Sequence, residues 1–363
     1  MKKSTVKLFF NVLDKYCREG VFTNCATGWF KRGEEGSETG FFYCRKEGET
    51  CRCTVRELEG EESFFDLASL TKVLVTIPVL LLLAKAGKIN FEQPIVDFYP
   101  KTPSPLAEVT LFQLMNHSSG LPAHRSYYSS LINVAEEERF EVVVQSILAE
   151  RVEAGPDEKK IYSDLGYILL GSIIEKVTGK GLEEFWQQAL QIPCGLEKSL
   201  FFGDEMRRKG IIPVSTGLSG GQGEELVGRV HDDNCRILGG VAGHAGLFGN
   251  CRGVLDMAQL FYNEYHGEGN MLPGKLFQES VNRKFGERRC GFDIPTGRTS
   301  SSGHLFSPLT IGHLGFTGTS MWIDLQRGAG IVLLTNRVYC GEDLSGIRRM
   351  RPEIHDILMK ALV

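Results

Sequence analysis

The chain has 363 residues, 42% of them hydrophobic and 24% charged, with a formal net charge of −4. That length exceeds one typical core and predicts two lobes, and the composition is that of an ordinary soluble globular protein. The charge, with no dense Lys/Arg patch, excludes a general nucleic-acid binder.

In chain order, residues 4–18 read as a packed helix through Val6, Leu8, Phe9, Phe10, Val12 and Leu13; Lys7, Asn11, Asp14 and Lys15 make them too polar for a secretion signal, so a cytoplasmic location is expected. Strand-like segments at 20–30 and 40–46 bracket a polar turn at 33–40, and residues 51–60 read as a short strand or a lead. The most apolar run, 73–84, contains Pro78 and is too short to span a bilayer, so it reads as a core helix. Short helices are expected at 93–100 and 110–116, longer ones at 136–151, 164–178 and 181–192, and glycine-rich loops over a cleft at 208–249. A helix near 251–265 is followed by strands at 307–313, 320–324 and 330–336, and a terminal helix at 347–361.

Strands at both ends with helices between predict one sheet built from both termini. The expected division is a sheet-containing lobe of residues 1–75 and 266–363 and a mainly helical lobe of 76–265, with the site between them. The ten cysteines, scattered and without a secretion signal, read as reduced thiols; Cys51-x-Cys53 lacks the two-residue spacing of redox or zinc motifs, so no metal and no cofactor is expected.

Three short patterns carry chemistry. Ser69-x-x-Lys72 precedes the apolar run, and on a helix the two residues share a face, putting an amine beside a hydroxyl that needs a base. A second copy, Ser4 to Lys7, shows how cheap the pattern is alone. Tyr162-Ser163-Asp164 stands before a helix, where Asp164 suits an N-cap and the Tyr162 hydroxyl suits proton transfer if a cation such as Lys72 lowers its pKa. Gly312-His313-Leu314-Gly315-Phe316-Thr317-Gly318 lies just before the terminal strand pair, with three glycines for close approach of a ligand.

In this order, Ser69-x-x-Lys72, Tyr162-x-Asp164 and His313-x-Gly315 resemble the three motifs of the serine β-lactamase and penicillin-binding-protein superfamily. The branch resembled is that of class C β-lactamases, DD-peptidases and related esterases. The segments 65–72, 116–122 and 238–248 extend the likeness over roughly residues 60–340. The resemblance implies an α+β, β-lactamase/transpeptidase-like fold: an antiparallel sheet from both chain ends, flanking helices and a helical lobe. It also implies an acyl-enzyme mechanism. Ser69 attacks an ester, amide or lactam carbonyl, Lys72 and Tyr162 move the proton, the N–H groups of Ser69 and Phe316 form the oxyanion hole, and Asp164, His313 and Gly315 contact substrate.

Two departures from the family pattern matter. Asp164 stands where Asn is usual; pointed at Lys72, it is expected to stabilise the ammonium and shift general-base work toward Tyr162. His313 stands where Lys is frequent, and a neutral imidazole removes a counter-charge for substrate carboxylates. The expected function is thus a serine hydrolase of esters or small amides. The alternatives are a β-lactamase or D-amino-acid (DD-) peptidase, and, in another class, a non-catalytic ligand-binding or sensor protein.

Among other residues, His117 reads as a loop residue bonded within its turn. Tyr127 and Tyr128 either line the cleft or cap the helical lobe. His231, Asp232, Asp233, Asn234 and His244 read as a loop hydrogen-bond network, and Arg337 as either an anion ligand or a salt-bridge partner of the C-terminal helix.

Overall fold

The computed structural model describes residues 1–34, 36–55, 63–218 and 223–363. A helix, Lys3–Arg18, leads into three consecutive antiparallel strands, β1 (Asn24–Gly33), β2 (Gly36–Glu47) and β3 (Thr50–Val55). The hairpin of β1 and β2 is longer than expected, pairing through Lys31–Glu38 and Arg32–Ser37 to Gly33–Gly36, because opposite charges across the ladder support its tip. Beyond Val55, the expected segment 51–60 lies outside the described residues.

Two short strands, β4 (Phe65–Asp66) and β5 (Leu200–Phe202), flank β6 (Leu247–Gly249) in a small second sheet. The remaining strands are β7 (Lys284–Phe285), β8 (Arg288–Arg289), β9 (Phe292–Asp293), β10 (Thr310–Leu314), β11 (Ser320–Asp324) and β12 (Ala329–Thr335). The large sheet has the order β3-β2-β1-β12-β11-β10-β9-β8-β7, antiparallel throughout, so β1 pairs with β12 and the two chain ends build one sheet. The edge strands β7–β9 and the helix Gly274–Asn282 carry too few residues, or too broken a pattern, to be read from sequence.

Both faces of the sheet are covered, which explains the unbroken apolar run of β12. Ala329, Ile331 and Leu333 pack with Trp29, Trp322 and the helices Lys3–Arg18 and Ser345–Leu362. Val332 and Leu334, on the opposite face, join Phe30, Met321 and the helix Cys251–Tyr265 in the larger core. That core continues through Ile77–Lys85 and Asp164–Thr178, the latter ended by Gly179 in the left-handed conformation (φ 69°).

The expectation of reduced thiols fails at one pair. Cys44 and Cys53 form a disulfide. They face each other across β2 and β3, and it is strand register, not sequence spacing, that brings them together.

Candidate active site

Ser69 lies in the turn between β4 and the helix that begins at Leu70. The turn is held on both sides. Asp66 accepts the N–H of Ala68 (2.9 Å) and of His231 (2.8 Å), while Thr71 Oγ donates to the Ala68 carbonyl (2.7 Å) and accepts from the Leu247 N–H (3.1 Å). Ala68, just before Ser69, has φ +47°, a conformation costly for a residue with a side chain. Lys72 opens a five-residue π-helical segment, Lys72–Thr76, before Ile77–Lys85. Pro78 follows it and has no N–H to offer the Leu74 carbonyl four residues back. Trp186 Nε1 donates to that carbonyl instead, at 3.3 Å.

Lys72 is fully buried, and its ammonium has three acceptors: Ser69 Oγ at 3.1 Å, Asp164 Oδ1 at 2.7 Å and the His244 carbonyl at 2.9 Å. A lysine ammonium has three N–H donors, so all three are used. Burial alone would push the Lys72 pKa down, but the Asp164 carboxylate beside it outweighs burial and raises the pKa above its usual value. Asp164 responds in the opposite direction: burial opposes its ionisation, yet Lys72, with His124, holds its carboxyl well below the usual range. His124 Nδ1 approaches Asp164 Oδ2 at 3.8 Å, and this raises the His124 pKa.

Close backbone packing at Gly243 brings the His244 carbonyl to Lys72. The segment 239–249 runs between the Lys72 helix and Asp164–Thr178, and a side chain at Gly243 would collide with the Tyr167 carbonyl. Thr76 Oγ donates to the Gly243 carbonyl at 2.6 Å, which places His244 O over Lys72.

The Tyr162 ring lies 5.1 Å from Lys72 Nζ, and Tyr162 interacts electrostatically with Lys72 and Ser69. Its pKa moves opposite to expectation. Burial raises it, and Lys72 and Arg288 offset burial only in part, so the phenol stays protonated. The N-cap of this helix is Ser163, not Asp164: its Oγ accepts the Gly166 N–H, which leaves Asp164 free to face Lys72.

His117 bonds to the second motif, not within its own turn: Nδ1 accepts the Ser163 N–H at 2.9 Å, and the ring lies 4.4 Å from Tyr162 and 5.0 Å from Tyr167. His313 is buried 5.9 Å from the Tyr162 ring. Its Nδ1 donates to the Leu314 carbonyl (2.9 Å), so Nε2 carries a lone pair, and it has no partner among the described residues. Burial, then the Arg288 and Lys72 charges, keep both imidazoles neutral, their pKa values well below the usual range.

Gly315 joins the third motif to the Ser69 turn. Its Cβ position would collide with Thr319 Oγ and lie 2.7 Å from the Leu67 carbonyl. Thr317 and Thr319 donate to the Asp66 and Leu67 carbonyls at 2.7 and 3.1 Å. Two buried arginines brace this loop. Arg351 donates to the Gly315 and Thr319 carbonyls at 2.8 and 2.7 Å, and Arg337 donates twice to the Phe316 carbonyl at 3.0 and 2.7 Å. Arg337 thus neither faces an anion site nor pairs with the C-terminal helix, because backbone carbonyls take its guanidinium. Phe316 is 46% exposed and stacks on His231. The N–H groups of Ser69 and Phe316 make no backbone hydrogen bond among the described residues.

The 231–244 loop forms a hydrogen-bond network. Asp232 accepts from the Cys235 N–H (2.7 Å) and pairs with His244 Nε2 (3.0 Å), while Asn234 bridges the Tyr128 N–H and the Arg125 carbonyl. The Tyr127 hydroxyl bonds to Glu150. Sequence reasoning missed Arg288 and Tyr167. Arg288, 5.0 Å from the Tyr162 ring, is committed to Asp293 (2.7 Å) and the Gly291 carbonyl (2.8 Å). Tyr167, with Lys72 Nζ 5.4 Å from its ring, stands three residues after Asp164 on one helix face, a spacing visible in the sequence.

The Beta-lactamase family model matches residues 54–352, and the chain belongs to that family. A Salmonella agona protein named "Putative D-alanyl-D-alanine carboxypeptidase" is 30% identical over 310 residues, covering 76% of this chain and 69% of its own. D-amino acid amidase from Ochrobactrum anthropi SV3, solved with L-phenylalanine amide, superposes with TM-score 0.70 at 19% identity over 99% of this chain and 100% of its own. The class C β-lactamase from Rhodobacter sphaeroides superposes with TM-score 0.66 at 17% identity, again over 99% and 100%. Family and fold together indicate hydrolase activity of the serine type. No helix among the described residues is long and apolar enough to cross a membrane.

Proposed function

We propose that the protein hydrolyses esters or small amides through an acyl-enzyme on Ser69. The observation that carries this reading is the Lys72 ammonium. Two of its three partners, the Asp164 carboxylate and the His244 carbonyl, can only accept, so two N–H bonds are fixed and the third position faces Ser69 Oγ. As an ammonium, Lys72 donates to Ser69. As an amine, it keeps both fixed bonds and presents its lone pair to the Ser69 hydroxyl. Loss of one proton therefore arms the nucleophile without rearrangement.

Tyr162, protonated, delivers a proton to the leaving group. The free N–H groups of Ser69 and Phe316 receive the oxyanion, and water releases the acyl group. Asp164 and Lys72 set the pH at which the site is armed.

The neutral His313, with an accepting Nε2, supports substrates without a carboxylate at the third motif; Arg288 is already paired with Asp293, and Arg337 and Arg351 are taken up by backbone carbonyls. The carboxypeptidase named among the relatives supports a second reading, cleavage of a D-alanyl-D-alanine peptide. A panel of short-chain p-nitrophenyl esters, D-amino-acid amides, nitrocefin and D-alanyl-D-alanine peptides, run on wild type and Ser69→Ala, tests both. The proposal predicts Ser69-dependent turnover of esters or amides above that of nitrocefin and the peptide. Peptide preference would install the second reading, and no Ser69-dependent turnover would favour a binding or sensor protein.

A further inference from the structure

Half of the chain's ten cysteines gather where the helix Lys3–Arg18 packs on β1–β3. Cys25, Cys44 and Cys53 stand opposite one another across β1, β2 and β3. Cys51, two residues from Cys53 on β3, points to the same face. The helix Lys3–Arg18 covers this face and brings Cys17 to it from its last turn. Cys17 is buried there in one core cluster with Cys25 and Cys44, and Cys51 and Cys53 pack against that cluster. The Sγ atoms of Cys44, Cys51 and Cys53 all lie within 4.8 Å of one another.

Three sulfurs this close are one ligand short of a tetrahedral cage, and Cys17 on the covering helix is the remaining thiol. In a tetrahedral zinc–thiolate site, Zn–S bonds of about 2.3 Å place the sulfurs about 3.8 Å apart. Cys51 Sγ lies 3.9 Å from Cys53 Sγ. Cys44 and Cys53 are joined here as a disulfide, and once both are thiols their Sγ atoms separate by side-chain rotation. Cys51 and Cys53 are only partly buried, which leaves a path for an ion, while Cys17 and Cys44 form the buried floor. Lys46, opposite Cys51 in register and on the Cys44 face, offsets the negative charge that four thiolates keep around a divalent ion.

We propose that Cys17, Cys44, Cys51 and Cys53, with the disulfide reduced by a thiol or phosphine reductant, form a tetrathiolate site for a soft divalent metal of the zinc class. The balance is simple: the reductant supplies two electrons and two protons to the disulfide, and the four thiols then release four protons as one M²⁺ binds. The metal would clamp the N-terminal helix to the β2–β3 hairpin, as the disulfide clamps the hairpin alone. The Cys51-x-Cys53 spacing gives no hint of this, because a helix and a strand register supply the other two ligands.

The test is Co²⁺ titration of the full-length chain, reduced with a phosphine and kept anaerobic, with Zn²⁺ as competitor and far-UV circular dichroism alongside. The expected result is thiolate-to-cobalt charge-transfer absorption with tetrahedral d–d bands. It should saturate near one equivalent per chain, be displaced by Zn²⁺, be lost in Cys51→Ser and be weakened in Cys17→Ser, while the dichroism stays native. Three results would overturn the proposal: no such absorption from reduced, folded protein; the same absorption in Cys51→Ser; or unfolding on reduction that Zn²⁺ does not reverse.

Discussion

Asp164 Oδ1 lies 2.7 Å from Lys72 Nζ, and through that contact a second-motif carboxylate holds the amine beside Ser69 in its charged form. Unpaired, a buried lysine loses its proton more readily than in water; paired, it keeps it. The proposed chemistry requires that proton to leave, so activity should rise with pH.

The first prediction concerns that rise. In Asp164→Asn the opposite charge is gone and burial pushes the Lys72 pKa down. The acidic limb of the kcat/KM profile should move to lower pH by about one to three units, the usual effect of a neighbouring opposite charge. A pH–rate series on a neutral ester measures it. An unmoved limb would assign the titration to another group.

Asp164→Ala should behave differently. It leaves Lys72 charged, buried and without its carboxylate, a loss of about 3 kcal/mol or more for a broken buried pair. Denaturant unfolding at neutral pH should show a clear drop in midpoint. Asn, which keeps an accepting oxygen, should lose less. An Asp164→Ala midpoint equal to that of wild type would mean that the pair contributes little to stability.

Gly315→Ala tests how closely the third motif approaches the nucleophile. The added methyl collides with Thr319 Oγ and crowds the Leu67 carbonyl, forcing the Phe316 N–H away from Ser69. A displacement on the order of 1 Å should cost about 100-fold in kcat/KM. Circular dichroism should show the fold retained, since the clash is confined to two loops. Wild-type kinetics would show that the loops give way without cost.

His313→Lys places an ammonium where a neutral imidazole stands. Kinetics on matched substrates with and without a carboxylate should show KM falling for the carboxylate-bearing member and little change for the neutral one. A neutral-ester KM that shifts as much would give His313 a different part in binding.

The large sheet was legible because β11 and β12 are long and apolar and the strand-like segments lie at the two chain ends. The cluster of Ser69, Lys72, Tyr162, Asp164 and His313 was legible through motif order. The direction of the Tyr162 shift was not: burial outweighs the neighbouring cations, and burial is a property of packing. Arg288 sits on a two-residue strand with no pattern around it. The Cys44–Cys53 link depends on register, which residue spacing does not encode. The π-helical segment had a signal in Pro78, but the Trp186 bond to the Leu74 carbonyl depends on packing that residue spacing does not encode.

Acylation of Ser69 is the step on which the proposed activity depends. Intact-mass and peptide mass spectrometry on protein quenched during turnover of a slow p-nitrophenyl ester, or after treatment with a fluorophosphonate, tests it most directly. A single adduct of acyl or phosphonyl mass is expected on the peptide holding Ser69, absent in Ser69→Ala and accumulating faster as pH rises. An adduct on another residue, or ester turnover undiminished in Ser69→Ala, would contradict it.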